Sequence, residues 1–120
     1  MNPAWEAYLT KMEASKRLPS AILQAARTIV DHVGETCSSA GPTPEGHLQL
    51  VWDRDEHHLE LEVGDGKFEW FYRNRKTEFL DGADDCVLPF SPELSAHFLV
   101  VVGAPGLFRR VCTQCAPSVQ

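Results

Sequence analysis

Two cysteines near the end of this sequence have the residue type and spacing of a chemical site. Cys112 and Cys115 have the C-x-x-C spacing of half a zinc site, in which two such pairs supply four ligands. No second pair of this spacing occurs, and a redox pair should open a helix after a strand, whereas Pro117 follows this one. Metal binding by Cys112 and Cys115, with Cys37 or Cys86 as a further ligand, is therefore an alternative function.

A second group lies between residues 47 and 80, where acidic and histidine side chains alternate with apolar ones. Alternation with a period of two predicts strands with one buried and one solvent-facing side. A two-residue turn at Asp65 and Gly66 sets Glu62 opposite Glu69. Paired carboxylates can act as acid and base, but catalysis needs an enclosed site, which a flat sheet face lacks. We expect a solvated face, and an enzyme using Glu60, Glu62 or Glu69 is another alternative.

The same register defines two further rows of side chains across the sheet. Asp53, His58 and Arg73 share one row and can form an ion network. A His–Asp pair serves nucleophilic catalysis only beside a Ser, Cys or Thr, and this row contains none, so we expect a surface network of little energetic weight. Val51 and Phe71 share the other row and are apolar on a polar face. Either another element covers them or they form a patch for a partner.

The helices that should support this sheet are indicated by spacing and by capping residues. Residues 2–34 predict a helical pair: Asn2 and Pro3 suit a helix start, Ser20 suits the N-cap of the second helix, and apolar residues then recur at helical spacing up to Gly34. Ser91 suits the N-cap of a third helix over residues 91–102. The β-branched run at 98–102 leaves a strand as an alternative there.

The rest of the chain is assigned to a linker, the sheet and a tail. Residues 35–46, rich in Ser, Pro and Gly, predict a linker. Residues 47–80 predict an antiparallel meander of three to four strands, with a loop at 54–57, a fourth strand around 77–80 and an acidic loop at 81–85. Residues 107–120 predict a loose tail.

Together these elements predict a single α+β domain over residues 1–120. Two N-terminal helices and one C-terminal helix should pack on one face of the antiparallel meander. A chain of this length buries roughly two-thirds of its unfolded surface, so it needs neither a disulfide nor a metal to fold.

Composition and charge exclude several classes of function. The net charge is −6, and residues 46–90 hold eleven of the seventeen acidic residues against five basic ones. An acidic sheet argues against nucleic-acid binding, which needs clustered Lys and Arg, and fits a basic protein partner. No apolar run is long enough to span a bilayer, and no signal peptide is visible. We therefore expect a cytoplasmic protein with reduced cysteines.

Residues 44–80 resemble a pattern found in small, uncharacterised bacterial proteins. In that pattern a glycine, here Gly46, leads into a Leu-Gln-Leu-x-Trp strand, here residues 48–52, and an acidic hairpin with Asp65 and Gly66 follows. His47 stands where the pattern often has a second glycine. The resemblance implies a bacterial, cytoplasmic origin and supports the hairpin register, but it brings no activity and no functional residue.

The leading hypothesis from the sequence is a small acidic regulator or inhibitor that binds another protein and is not an enzyme. Antitoxins, immunity proteins and phage proteins are examples of this class. No catalytic residue and no cofactor is predicted, and the oligomeric state is left open. The candidate contact residues all lie on the outer sheet face: Val51, Glu60, Glu62, Glu69, Phe71 and Arg73.

Overall fold

A computed structural model describes residues 3–102 as three helices packed on a five-stranded antiparallel sheet. The helices are α1 (Pro3–Ser15), α2 (Ser20–Val33) and α3 (Pro92–Val102). The strands are β1 (Ser39–Pro42), β2 (Leu48–Arg54), β3 (His57–Val63), β4 (Phe68–Asn74) and β5 (Leu80–Cys86), and they neighbour one another in chain order. The predicted α+β class is confirmed. The predicted tail at 107–120 lies outside the described residues.

The helix ends show which local signals are decisive. Gly34 adopts a left-handed conformation with φ of 86°, and its N–H donates to the carbonyl oxygen of Val30 at 2.9 Å, so α2 ends where predicted. The Oγ of Ser91 accepts a hydrogen bond from the Leu94 N–H at 3.2 Å and caps α3 as predicted. The prediction of Ser20 as a cap is wrong: Pro19 holds that position, and Ser20 is the first helical residue.

The alternative of a strand at 98–102 is also wrong, because α3 continues through this run. Phe98, Val101 and Val102 are buried in the core, so tertiary packing overrides their preference for strands. The ring of Phe98 meets Trp52 edge to face at 5.0 Å between centroids, which fixes α3 against the sheet.

The central strand register agrees with the prediction from the sequence. Leu50 pairs with Leu61, and Leu61 pairs with Trp70, so these side chains share the inner face. Asp65 and Gly66 lie in the turn between β3 and β4, where Gly66 has a φ of 79° that favours glycine. The inner face and the helices form one hydrophobic core, and the described part of the chain has no buried polar or charged residue.

The sheet has five strands, so the prediction of three to four is wrong. The segment predicted as a linker contains β1, in which Ser39 pairs with Val51 and Pro42 pairs with Leu48. The predicted loop at 54–57 is shorter, because Arg54 and His57 already pair with each other. The β1–β2 pairing and the Arg54–His57 pair are held mainly by backbone hydrogen bonds. Such bonds do not require alternating apolar residues, so the sequence carries little sign of them.

The fourth strand of the prediction and its acidic loop are misplaced. The sequence predicts the strand at residues 77–80, but β5 begins only at Leu80 and continues through the acidic run to Cys86. Asn74 explains the late start, because its side-chain oxygen accepts hydrogen bonds from the N–H groups of Lys76 and Thr77 and holds them in a turn. Asp and Gly are rare in strands, so composition alone favours a loop there.

Candidate functional site

The outer sheet face carries all six predicted contact residues, because they alternate with the buried residues along β2, β3 and β4. Val51, Glu60 and Phe71 follow one another in a row across these strands, and Phe71 continues to Gly82 on β5. The side chain of Phe71 is 39% exposed, whereas Val51 is half-buried. Phe71 is therefore an uncovered aromatic residue within a polar face.

A chain of polar contacts crosses this face beside Phe71. His58 lies between two carboxylates, with Nδ1 2.7 Å from Asp53 Oδ1 and Nε2 2.7 Å from Glu60 Oε2. The amide nitrogen of Gln49 donates to the other oxygen of Glu60 at 2.8 Å. These contacts hold the Glu60 carboxylate in place, so its side chain is less mobile than an isolated surface carboxylate.

The predicted ion network forms with a different arginine. Arg73 lies opposite His58 in the register, but its guanidinium donates to Glu78 at 2.9 Å, so its inclusion in the network is wrong. Arg75, in the turn after β4, donates to Asp53 instead. Burial alone would raise the pKa of Asp53, but hydrogen bonds from Arg75 and His58 outweigh it and lower that pKa.

The row formed by Glu62 and Glu69 borders an open acidic groove of about 430 Å³. Nδ1 of His47 lies 2.7 Å from a carboxylate oxygen of Glu62, within hydrogen-bond distance. The pKa of Glu69 is raised by desolvation and then by repulsion from Glu62 and Asp84. Asp65, Lys67 and Asp85 also line the groove, together with Gly64 and Phe68. Within residues 3–102, no three His, Cys, Asp or Glu side chains are arranged to hold a metal ion.

The cysteines of the metal alternative are only partly described. Cys37 and Cys86 are free thiols, and they lie at opposite edges of the sheet, beside β1 and at the end of β5. Burial raises the pKa of Cys37 to about 11, so this thiol is a poor thiolate donor at neutral pH. Cys112 and Cys115 lie outside the described residues, and metal binding there stays a prediction.

A cluster that sequence reasoning missed joins α3 to β5. Nε2 of His97 lies 2.9 Å from Oδ2 of Asp81, and its ring stacks on Tyr72 with 4.0 Å between centroids. The hydroxyl of Tyr72 lies 2.6 Å from Nδ1 of His57. The hydrogen bond from His97 lowers the pKa of Asp81. No signal in the sequence pointed to this cluster, because Asp81 belongs to the run interpreted as a loop.

Comparison with known proteins identifies no relative of this chain. No family model, no curated protein and no solved structure matches the sequence or its fold. The resemblance of residues 44–80 to small bacterial proteins therefore stays a prediction. None of the helices among the described residues is long and apolar enough to cross a membrane.

Proposed function

We propose that this protein is a non-enzymatic binding module that presents the outer face of its sheet to a basic protein partner. The observation that carries the proposal is Phe71, whose side chain is 39% exposed in the middle of a face that is otherwise polar. An exposed aromatic side chain surrounded by polar residues is typical of an interface anchor, because it contributes a large apolar area at a small cost in side-chain entropy.

The charges around Phe71 support a basic partner. Glu69 lies two residues before Phe71 on the same face of β4, is exposed, and has an electrostatic environment already made unfavourable by Glu62 and Asp84. A lysine or arginine of a partner would relieve that repulsion while the aromatic ring is buried. Complementary charge also speeds the encounter of two proteins more than it tightens the final complex.

The same charges make the outer face a poor surface for other partners. A second copy of the face would bring Glu62 and Glu69 against like charges, which disfavours a face-to-face homodimer. Nucleic acid would meet the same repulsion, because the phosphate backbone is attracted by Lys and Arg. The proposed partner is therefore a different protein, and we infer neither nucleic acid nor a membrane as a ligand.

The biological setting belongs to the proposal as well. A net charge of −6 on 120 residues and the exposed ring of Phe71 fit a small regulator or inhibitor of the antitoxin, immunity-protein or phage-protein kind. We place this regulator in the bacterial cytoplasm, in line with the resemblance of residues 44–80. The alternatives of a metal-binding protein and a small enzyme gain no support from the described residues.

Phe71→Ala is the variant that tests this function. The partner is isolated on the immobilised protein from the organism that encodes it, and its affinity for each purified variant is then measured by titration calorimetry. Loss of an aromatic anchor should weaken binding by about 2 kcal/mol, or roughly 30-fold. Val100→Ala is the control, since Val100 is 43% exposed but lies on α3.

Circular dichroism should show both variants folded, because neither side chain belongs to the buried core. If Phe71→Ala binds as tightly as the Val100→Ala control, the outer face is not the interface. If Phe71→Ala unfolds the protein, Phe71 belongs to a covered layer and the proposal loses its main support. A partner whose contacting surface is acidic would contradict the proposed charge complementarity.

A further inference from the structure

We infer that the partner contributes an extended, lysine- or arginine-bearing segment that pairs with strand β5 and extends the sheet. This inference rests on the proposed function, because Phe71 lies on the strand next to β5 and directly opposite Gly82. It goes further by naming the structural form of the contact. An edge strand offers a row of backbone groups to which an extended chain can bind.

The two edges of the sheet differ in how well they could receive such a segment. β1 has only four residues and ends at Pro42, which has no N–H to donate. β5 has seven residues and contains neither proline nor lysine, two residues that often block an exposed edge. The register shift in its pairing with β4 lies between Ala83 and Cys86, so its regular edge runs from Leu80 to Ala83. The edge without proline is therefore the one open to a further strand.

Apolar exposure in the described part of the chain concentrates around β5. Six large hydrophobic residues are exposed among the described residues: Phe71, Phe79, Leu80, Val87, Leu88 and Val100. All of them except Phe71 and Val100 lie at or beside the two ends of β5. Gly82 has no side chain, so a residue of an added strand that faces outward at this position can approach the ring of Phe71 across it.

The charges on β5 determine the chemistry of the segment. Asp84 and Asp85 are exposed, and Asp81 lies earlier on the same strand. An antiparallel pair of two β5 strands would place these carboxylates against those of the second copy, which disfavours a homodimer through this edge. Lys67 compensates only Asp85, at 2.8 Å. A strand that alternates basic and apolar residues would match both the charge and the exposed apolar ends.

One feature of β5 limits indiscriminate pairing. The N–H of Gly82 donates to Oδ1 of Asp81 at 2.9 Å, while Oδ2 of the same carboxylate accepts the contact from His97. An incoming carbonyl group must replace the first of these bonds. A neutral strand would gain little from this exchange, whereas a basic strand also gains charge attraction, so the edge selects for a basic partner.

The inference is tested with a synthetic peptide of alternating lysine and valine that matches the seven residues of β5. The peptide is titrated into the isotope-labelled protein and followed by amide NMR. We expect the largest shift changes at β5 and Phe71, with β1 unchanged. Methylation of alternate backbone nitrogens in the peptide should abolish these changes, and a peptide of alternating glutamate and valine should cause none.

Asp84→Lys should weaken binding of the lysine–valine peptide about tenfold at low salt. Asp31→Lys makes the same change of charge on the exposed side of α2 and should leave the affinity within about twofold, because α2 packs on the other face. Equal losses in the two variants would mean that net charge alone attracts the peptide, and would overturn the edge site.

The outcomes separate this inference from the proposed function. If the methylated and unmethylated peptides bind equally, or if the shifts avoid β5, strand addition is wrong, while the partner's response to Phe71→Ala still decides the proposed function. No shift change with any peptide overturns the inference as well. A concentration-dependent dimer that the peptide dissociates would show that a second copy of the protein occupies β5. That result would overturn the inference that a basic segment of a different protein pairs with this strand.

Discussion

The two faces of this sheet are built from neighbouring residues of the same strands, yet they follow different physical rules. Leu61 and Trp70 face inward and are almost completely buried, whereas Glu60 and Phe71, each one residue away, face outward. Among the described residues no charged side chain is buried in the core beneath the inner face, while the outer face keeps an aromatic ring and repelling carboxylates exposed. Stability explains the inner face. The outer face retains features that stability alone would remove, and the proposed binding function accounts for them.

The largest expected difference between the faces is in the free energy of unfolding. Trp70→Ala should lower it by about 3–5 kcal/mol, because it removes a buried indole from a packed core. Phe71→Ala should lower it by less than about 1 kcal/mol, because much of that ring already contacts water. Urea denaturation of both variants measures the difference. Similar losses for the two would show that the outer face is also a packed layer.

A smaller effect is expected at the contact between β4 and β5. A Cβ atom at Gly82 would lie 2.8 Å from the carbonyl oxygen of Trp70, so Gly82→Ala must push the two backbones apart. We expect a loss of about 1–3 kcal/mol and faster amide exchange in β5. Gly41→Ala on β1 is the control, since nothing lies within 4 Å of its added methyl group. If Gly41→Ala is equally destabilising, the close approach of Gly82 to the Trp70 carbonyl oxygen is not the cause of the stability loss in Gly82→Ala.

The inner face could be predicted from the sequence because burial leaves a regular pattern. Period-two alternation and the Asp65–Gly66 turn fixed the pairing of Leu61 with Trp70 and, with it, the row that contains Phe71. Strand β1 was missed and β5 was misplaced, because edge pairing depends on backbone hydrogen bonds, which nearly every residue type can supply. Arg75 and His97 reach their partners Asp53 and Asp81 through turn geometry and helix packing, which side-chain spacing does not encode.

The contact between His97 and Asp81 gives a prediction for acid conditions. The pKa of Asp81 is lower in the folded protein, so its stabilising contribution is present above the ordinary value of 3.8 and is lost as the pH falls through the folded pKa. Asp81→Asn should therefore lower stability at neutral pH, by less than about 1 kcal/mol, and by less as the pH falls. Denaturation at several pH values measures this. A constant loss at every pH would mean that shape, and not charge, links α3 to β5.

The smallest effect on the free energy of unfolding is expected for Glu69→Gln, and it should be stabilising, opposite in sign to that of Asp81→Asn. Desolvation and repulsion from Glu62 and Asp84 raise the pKa of Glu69, so the unfolded chain releases this proton first as the pH rises. The folded state therefore loses stability as the pH rises from the unfolded to the folded pKa. Glu69→Gln should raise the free energy of unfolding at neutral pH by a few tenths of a kcal/mol, close to the worth of one cross-strand pair.

The same substitution should act in the opposite direction on binding. Removing the Glu69 charge should slow association with a basic partner, measured by stopped-flow mixing, and should reduce its dependence on salt. Glu13→Gln, on the exposed side of α1, should change neither the stability nor the association rate. A variant that is more stable but associates more slowly would show that Glu69 is kept for its partner at the expense of the fold. A loss of stability in Glu69→Gln would instead make this carboxylate structural, and the contrast between the two faces would no longer hold.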